Sequence, residues 1–160
     1  MDFLNDNLVQ WQALGSVVFS LILGGLIGLE REEVQKPAGL RTHMLVAGAA
    51  TLIVDLGVIA IEHFSQATYT NPIRADPLRI IEAVVTGVSF LGAGTILRQR
   101  QGTQVEGLTT AASILFTAAI GIGVALSQYI VATGATVLAL ITLRLVRIFE
   151  GRLLHDEEKT

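Results

Sequence analysis

Asp55, Glu62, Asp76 and Glu82 are acidic side chains that lie in or beside long apolar runs of this chain. Carboxylates are hard oxygen ligands, and Mg²⁺, which keeps several waters and takes one or two carboxylates, is the ion they would suit. Asp55 lies about eleven residues into an apolar run, roughly 16 Å of helix at 1.5 Å per residue. Glu82 sits just inside the end of another such run. A carboxylate within a bilayer costs about 2.5–3.5 kcal/mol on insertion scales, so its presence there points to function. Asp55 and Glu82 are therefore the candidate ligands of a hydrated divalent cation, with pairing to Arg74 or Arg79, or exposure at headgroup level, as the plainer alternative. A denser cluster, Glu30-Arg31-Glu32-Glu33 followed by Ala38-Gly-Leu-Arg41-Thr42-His43, brackets a short polar turn. Arg41 is placed to pair with Glu30 or Glu32 across that turn and clamp two helix ends, and Gly39 is free to take a positive φ.

The elements that position these residues are membrane helices. The chain has 160 residues, 51% of them hydrophobic and 16% charged, with a mean hydropathy of +0.60. Soluble domains carry about a quarter charged residues, and here the charges are segregated from long charge-free runs. About 17–25 mostly apolar residues cross a bilayer core, and five segments qualify: 13–29, 44–61, 80–97, 108–126 and 129–146. The sequence predicts an all-α polytopic membrane protein with five transmembrane helices, flanked by a tail over 1–12 and a second over 147–160. Nine of the eleven basic residues (Arg31, Lys36, Arg41, Arg98, Arg100, Arg144, Arg147, Arg152 and Lys159) fall on one side, and Arg74 and Arg79 on the other. The positive-inside rule then puts the N-terminus outside and the C-terminus in the cytoplasm, as an odd number of spans requires. Met1–Gly15 shows no signal peptide, so the first span is expected to direct its own insertion.

Between spans, Asp76-Pro77 reads as a helix start, with Asp as cap and Pro at the first helical position. Ser127-Gln128 leaves room only for a tight antiparallel hairpin. No internal repeat is evident, against an inverted-repeat transporter. The net charge of −3 argues against a nucleic-acid partner, and the absence of cysteine excludes disulfides and thiolate chemistry.

Glycine is the other recurrent signal. Gly24-x-x-x-Gly28 has the spacing of close helix approach. Gly87, Gly92 and Gly94 in the third run, and Gly121 and Gly123 in the fourth, extend the pattern. They serve either tight packing, the simpler reading, or a partly unwound segment facing a cavity. Nucleotide-binding, zinc-protease and hydrolase motifs are missing, and His43, His63 and His155 are scattered over different loops. The expectation is a protein that is not an enzyme and needs no cofactor beyond a candidate Mg²⁺.

Several separated motifs occur in order: Gly24-Gly-Leu-Ile-Gly-Leu-Glu-Arg-Glu32, Ala38-Gly-Leu-Arg-Thr-His43, Asp76-Pro-Leu-Arg79, Val85-Thr-Gly-Val-Ser-Phe-Leu-Gly-Ala-Gly94, Gly107-Leu-Thr-Thr-Ala-Ala112 and Ala118-Ala-Ile-Gly121. This ordered set resembles the MgtC/SapB family of bacterial inner-membrane proteins, over Gly24 to about Arg144. The resemblance implies a five-span fold and a link to growth in low magnesium and, in pathogens, to survival inside host cells. It favours a regulator of other membrane proteins, with the proton-translocating ATP synthase or a magnesium P-type ATPase as partner, over a Mg²⁺ channel or carrier, which would need to form a homo-oligomer to make a pathway. The motif positions it carries over are Glu30, Arg31, Glu32, Arg41, Thr42, Asp76, Arg79, Gly92, Gly94 and Thr109, without fixing their roles. Longer members have a C-terminal ACT-like domain that Gly151–Thr160 cannot supply, so such a domain is expected to be absent or to come from another chain. Asp55 lies outside these motifs.

Overall fold

The computed structural model describes residues 2–67, 76–97 and 107–157, with side chains described over 7–63, 76–96 and 107–145. Arg74, Arg98, Arg100 and Lys159, used above for orientation, lie outside the described residues, as do the side chains of Arg147, Arg152 and His155. The architecture is all-helical, with no strand among the described residues: α1 (Asp2–Glu33), α2 (Leu40–Ala67), α3 (Pro77–Leu97), α4 (Leu108–Ala125) and α5 (Tyr129–Glu157). The stretches Asn7–Glu33, Leu40–His63, Pro77–Ile96 and Leu108–Ala125 are long and apolar enough to cross a membrane, and α5 adds a shorter apolar stretch, Tyr129–Leu145. This is a multi-pass membrane protein. α1 starts well before Ala13 and α5 runs past Val146, because polar residues end an apolar span without ending a helix. Only proline, glycine or a competing cap does that.

The helix ends are set locally. Asp76 caps α3, its Oδ1 accepting the Leu78 N–H at 2.9 Å, with Pro77 as the first helical residue. α1 closes with a 6→1 bond from Lys36 N–H to the Arg31 carbonyl and a bond from Gln35 N–H to the Glu32 carbonyl, both 3.0 Å. That is the Schellman pattern, and its left-handed residue is Gln35, at φ 53°. α4 closes identically, with Ser127 at φ 58° and bonds from Gln128 N–H to Gly123 O and from Ser127 N–H to Val124 O. The positive φ anticipated at Gly39 is thus at Gln35 instead.

α2 is the central helix, packed on α1 and α4 and more lightly on α3. A Cβ on Gly24 would lie 2.5 Å from the His43 carbonyl oxygen, and one on Gly28 2.7 Å from the Leu40 Cα. On the opposite side a Cβ on Gly121 would collide with the Ala47 carbonyl oxygen, and Thr51 Oγ1 donates to the Gly121 carbonyl at 2.9 Å. Helix backbones approach this closely only where side chains are missing. α3 leans on α4 through Gly92, whose Cβ would meet Ala111 at 3.4 Å, and on α2 where Ile80 fills the space over Gly57. α5 completes the bundle, with Ala132 in a core shared with Leu23, Ile27, Ile120 and Val124. Its Tyr129 ring stands edge-on to Phe19 with centroids 5.7 Å apart.

Gly87 and Gly94 depart from the expected packing role: nothing lies within 4 Å of a Cβ at either. Gly87 instead lines an open apolar groove of about 510 Å³ between α2 and α3, with Thr42, Ala49, Ala83 and Leu91. The two glycine classes should separate in stability. Gly28→Ala and Gly121→Ala force a methyl into backbone contact and should each lower stability by about 1–3 kcal/mol. Gly87→Ala should leave it unchanged or raise it by up to roughly 1 kcal/mol through helix propensity. Thermal unfolding of the purified variants in detergent checks the order.

Candidate functional site

Three helix termini meet at one end of the bundle: the last turn of α1, the first turn of α2 and the first turn of α4. Into this junction the chain places side chains that would ordinarily be hydrated. Glu30 is 1% exposed, Arg31 4% and His43 0%. Arg31 Nε donates to Glu30 Oε2 at 2.6 Å, and the other carboxylate oxygen, Oε1, is buried without a hydrogen-bond partner. Neither Glu30 nor Glu32 pairs with Arg41 across the turn. Arg41 is exposed, and both acids are committed elsewhere. Glu30 lies against its own neighbour, and Glu32 Oε2 accepts the Leu40 N–H at 2.8 Å. Glu32 thereby supplies from α1 the acceptor that the first turn of α2 lacks, where an anion also complements the helix dipole. A Cβ on Gly39 would lie 2.9 Å from that oxygen, so the missing side chain at Gly39 admits the cap rather than a left-handed backbone.

His43 is the centre of the junction, and sequence reasoning passed it over. Its Nδ1 lies 2.9 Å from the Gly39 carbonyl oxygen, and its Nε2 lies 3.0 Å from Ser113 Oγ on α4. Ser113 Oγ in turn donates to the Thr110 carbonyl at 2.8 Å, and Thr117 Oγ1 to the Ser113 carbonyl at 2.8 Å. Thr110, Ser113 and Thr117 are all buried. Their three- and four-residue spacing puts them on one face of α4, and that hydroxyl stripe was the available signal.

Among the described residues no group of three or more His, Cys, Asp or Glu side chains converges to hold a metal ion. Asp55 is half-buried, with its Oδ2 buried and facing no donor. Glu82 is exposed, and Arg79, also exposed, forms no ion pair with it. The remaining motif positions scatter. Asp76 is a helix cap, Gly92 a contact with α4, Thr42 a wall of the α2–α3 groove, and Thr109 lines a second cavity of about 420 Å³ with Ile27, Ser113, Thr142 and Leu143. What the sequence groups as one signature is, in space, one buried junction and several separate structural duties.

Breaking a buried pair by removing one partner leaves an uncompensated charge, at about 3–5 kcal/mol. Arg31→Gln should therefore lose most of the folded yield, while Arg41→Gln, at an exposed site, should stay within about 0.5 kcal/mol of the parent. Fluorescence-detected size-exclusion yield and unfolding midpoints compare them. Equal losses in the two variants would contradict the geometry.

The MgtC family model matches residues 17–152. Similar proteins include an uncharacterized protein of Haemophilus influenzae, 38% identical over 81% of this chain and 53% of its own length. Another is the Escherichia coli K12 protein named "Putative magnesium transporter YhiD", 36% identical over 87% of this chain and 62% of its own. A third is Protein MgtC of Salmonella typhimurium, 36% identical over 86% of this chain and 53% of its own. The chain thus matches little more than half the length of these relatives, and no solved structure matches it. With the family model covering most of the chain, and with its motifs seated in one multi-pass helical bundle, this protein belongs to the MgtC family.

Proposed function

We propose that this chain is a non-catalytic regulator embedded in the bacterial inner membrane, with its N-terminus outside and its C-terminus in the cytoplasm. It acts on partner membrane proteins in magnesium homeostasis and adaptation to low magnesium. The observation that carries this reading is how the polar and the small residues are distributed. Most buried hydroxyls bond to a carbonyl of their own helix, as Ser20, Thr117 and Thr136 do, while His43 and Thr51 bridge to α4; they do not form a row of ligands along a path. The groove between α2 and α3 has small residues, Ala49, Ala83 and Gly87, on its walls, the surface on which a second membrane helix packs closely. The link to magnesium is supported by the family and by the name of the Escherichia coli relative. The partner classes the resemblance suggests are the proton-translocating ATP synthase and a magnesium P-type ATPase.

The second reading, a Mg²⁺ channel or carrier, draws on Asp55, whose buried Oδ2 lacks a donor, and would require a homo-oligomer. Purified protein in liposomes with a Mg²⁺-sensitive dye separates the two. The regulatory reading expects no flux above empty vesicles. It also expects recovery of one of the two ATPases with the tagged protein, reduced about tenfold, or roughly 1.4 kcal/mol, by Gly87→Leu, which fills the groove. Flux abolished by Asp55→Asn or Glu82→Gln would overturn it. Because the chain has no cysteine, Lys36→Cys and Gln128→Cys report orientation directly: the first should react with an impermeant maleimide only from the cytoplasmic side, the second only from outside.

A further inference from the structure

Counting hydrogens at the buried junction shows that a neutral His43 leaves one contact unfilled. The Gly39 carbonyl can only accept, so the Nδ1 facing it at 2.9 Å carries a hydrogen. The Thr110 carbonyl can likewise only accept, and Ser113 Oγ faces it at 2.8 Å while also facing His43 Nε2 at 3.0 Å. A hydroxyl has a single hydrogen. With a neutral ring that hydrogen serves either Nε2 or the carbonyl, and the other contact sets two lone pairs against each other inside a buried junction. With both ring nitrogens protonated, Nε2–H donates to Ser113 Oγ, the hydroxyl donates to Thr110 O, and every contact holds one hydrogen.

The surrounding charges act on that second state in opposite senses, Arg31 against an imidazolium and Glu30 in favour of it. Glu30 and Arg31, both on α1, are the charged groups acting on the ring, and they already pair with each other through Oε2. Glu30 Oε1 remains buried and without a donor. From α4 the ring meets hydroxyls, and the whole of Leu108–Ala125 has no ionisable side chain. On α2 itself, Arg41 is exposed. Near the turn, Glu32 is held on the Leu40 N–H.

We propose that His43, with Ser113 and Glu30, is a proton-binding site that takes up and releases one H⁺ inside the bundle and so couples proton concentration to the α2–α4 contact. On uptake the imidazole Nε2 lone pair takes the proton, the Ser113 hydrogen goes to the Thr110 carbonyl, and α2 and α4 are joined by a full relay. On release the relay loses one link. Ser113 also lines the cavity between α1, α4 and α5, with Ile27, Thr109 and Leu143, so the state of the relay is felt at that cavity wall. The site stands whichever partner or ion the chain serves.

Nitrogen-15 NMR of ring-labelled full-length protein in nanodiscs reads it, with His43→Gln identifying the His43 signals against those of His63 and His155. The expected result is an imidazolium at low pH that converts between pH 4 and 9, approximate limits of a stable sample, to a neutral ring with hydrogen on Nδ1. Glu30→Gln removes the facing negative charge and should move the midpoint down by about one pH unit, roughly tenfold in proton affinity. Ser113→Ala removes the acceptor of Nε2–H, should lower the midpoint as well, and serves if Glu30→Gln does not fold. A His43 signal that stays in one protonation state throughout, a neutral ring with hydrogen on Nε2, or a midpoint unmoved in the folded variants would overturn the proposal.

Discussion

Backbone-to-backbone contact around α2 is the constraint on which the rest of this bundle depends. In a bilayer, burying apolar side chains against each other gains little over burying them in lipid, so helices associate through close packing and hydrogen bonds. Gly24 and Gly28 of α1 let α2 approach on one side, and Gly121 of α4 lets it approach on the other. Ala47, 0% exposed, lies between them with no room to grow. The approach of α4 also brings the Gly121 carbonyl within reach of the Thr51 hydroxyl, a bond that larger residues at either contact would stretch beyond use.

Close approach along the spans has a consequence at their ends. When α1, α2 and α4 touch by backbone, their termini converge, and helix termini carry unsatisfied N–H and C=O groups. The chain meets that demand with side chains from neighbouring helices. Glu32 at the end of α1 caps α2, and the His43 ring bridges the Gly39 carbonyl to Ser113 on α4. The charges follow the helix dipoles: Arg31 lies in the last turn of α1, where a cation is favoured, and the Glu32 carboxylate faces the start of α2, where an anion is. In a cluster this buried the removal of one partner is costly, since a low dielectric strengthens both a satisfied contact and the penalty of an unsatisfied one.

α3 stands apart from this arrangement. It is the least enclosed of the four long spans, it touches α4 through Gly92, and it leaves open space where a side chain at Gly87 or Gly94 would stand. This outer helix, with a groove of small residues behind it, contrasts with the α1–α2–α4 core, where glycines bring helix backbones into contact. In the regulatory reading the division is useful, because the core fixes the buried junction while the outer helix offers a surface to another protein. The carboxylates that invite a transport reading, Asp55 and Glu82, do not gather with a third ligand among the described residues.

Much was legible in the sequence because it depends on neighbours along the chain or on a fixed period. Charge-free runs of span length gave the membrane helices, Asp76 before Pro77 gave the start of α3, Ser127-Gln128 gave the tight α4–α5 turn, and the four-residue spacing of Gly24 and Gly28 gave a packing face. The ordered motifs were enough to reach the family. Glycine alone could not say which copies pack: Gly121 and Gly87 are the same residue in similar runs, and only the rotation of each helix about its axis puts one against Ala47 and the other in open space. Nor could charge order identify partners. Arg41 was in register to reach Glu30, yet burial of the α1 terminus sets Glu30 against Arg31. His43 and Ser113 meet across 70 residues of sequence, a distance at which nothing local constrains pairing. Local propensity and hydrophobic period are properties of short segments and survive in one dimension. Contact between segments is fixed by how helices rotate and converge, and that was decided only by the fold.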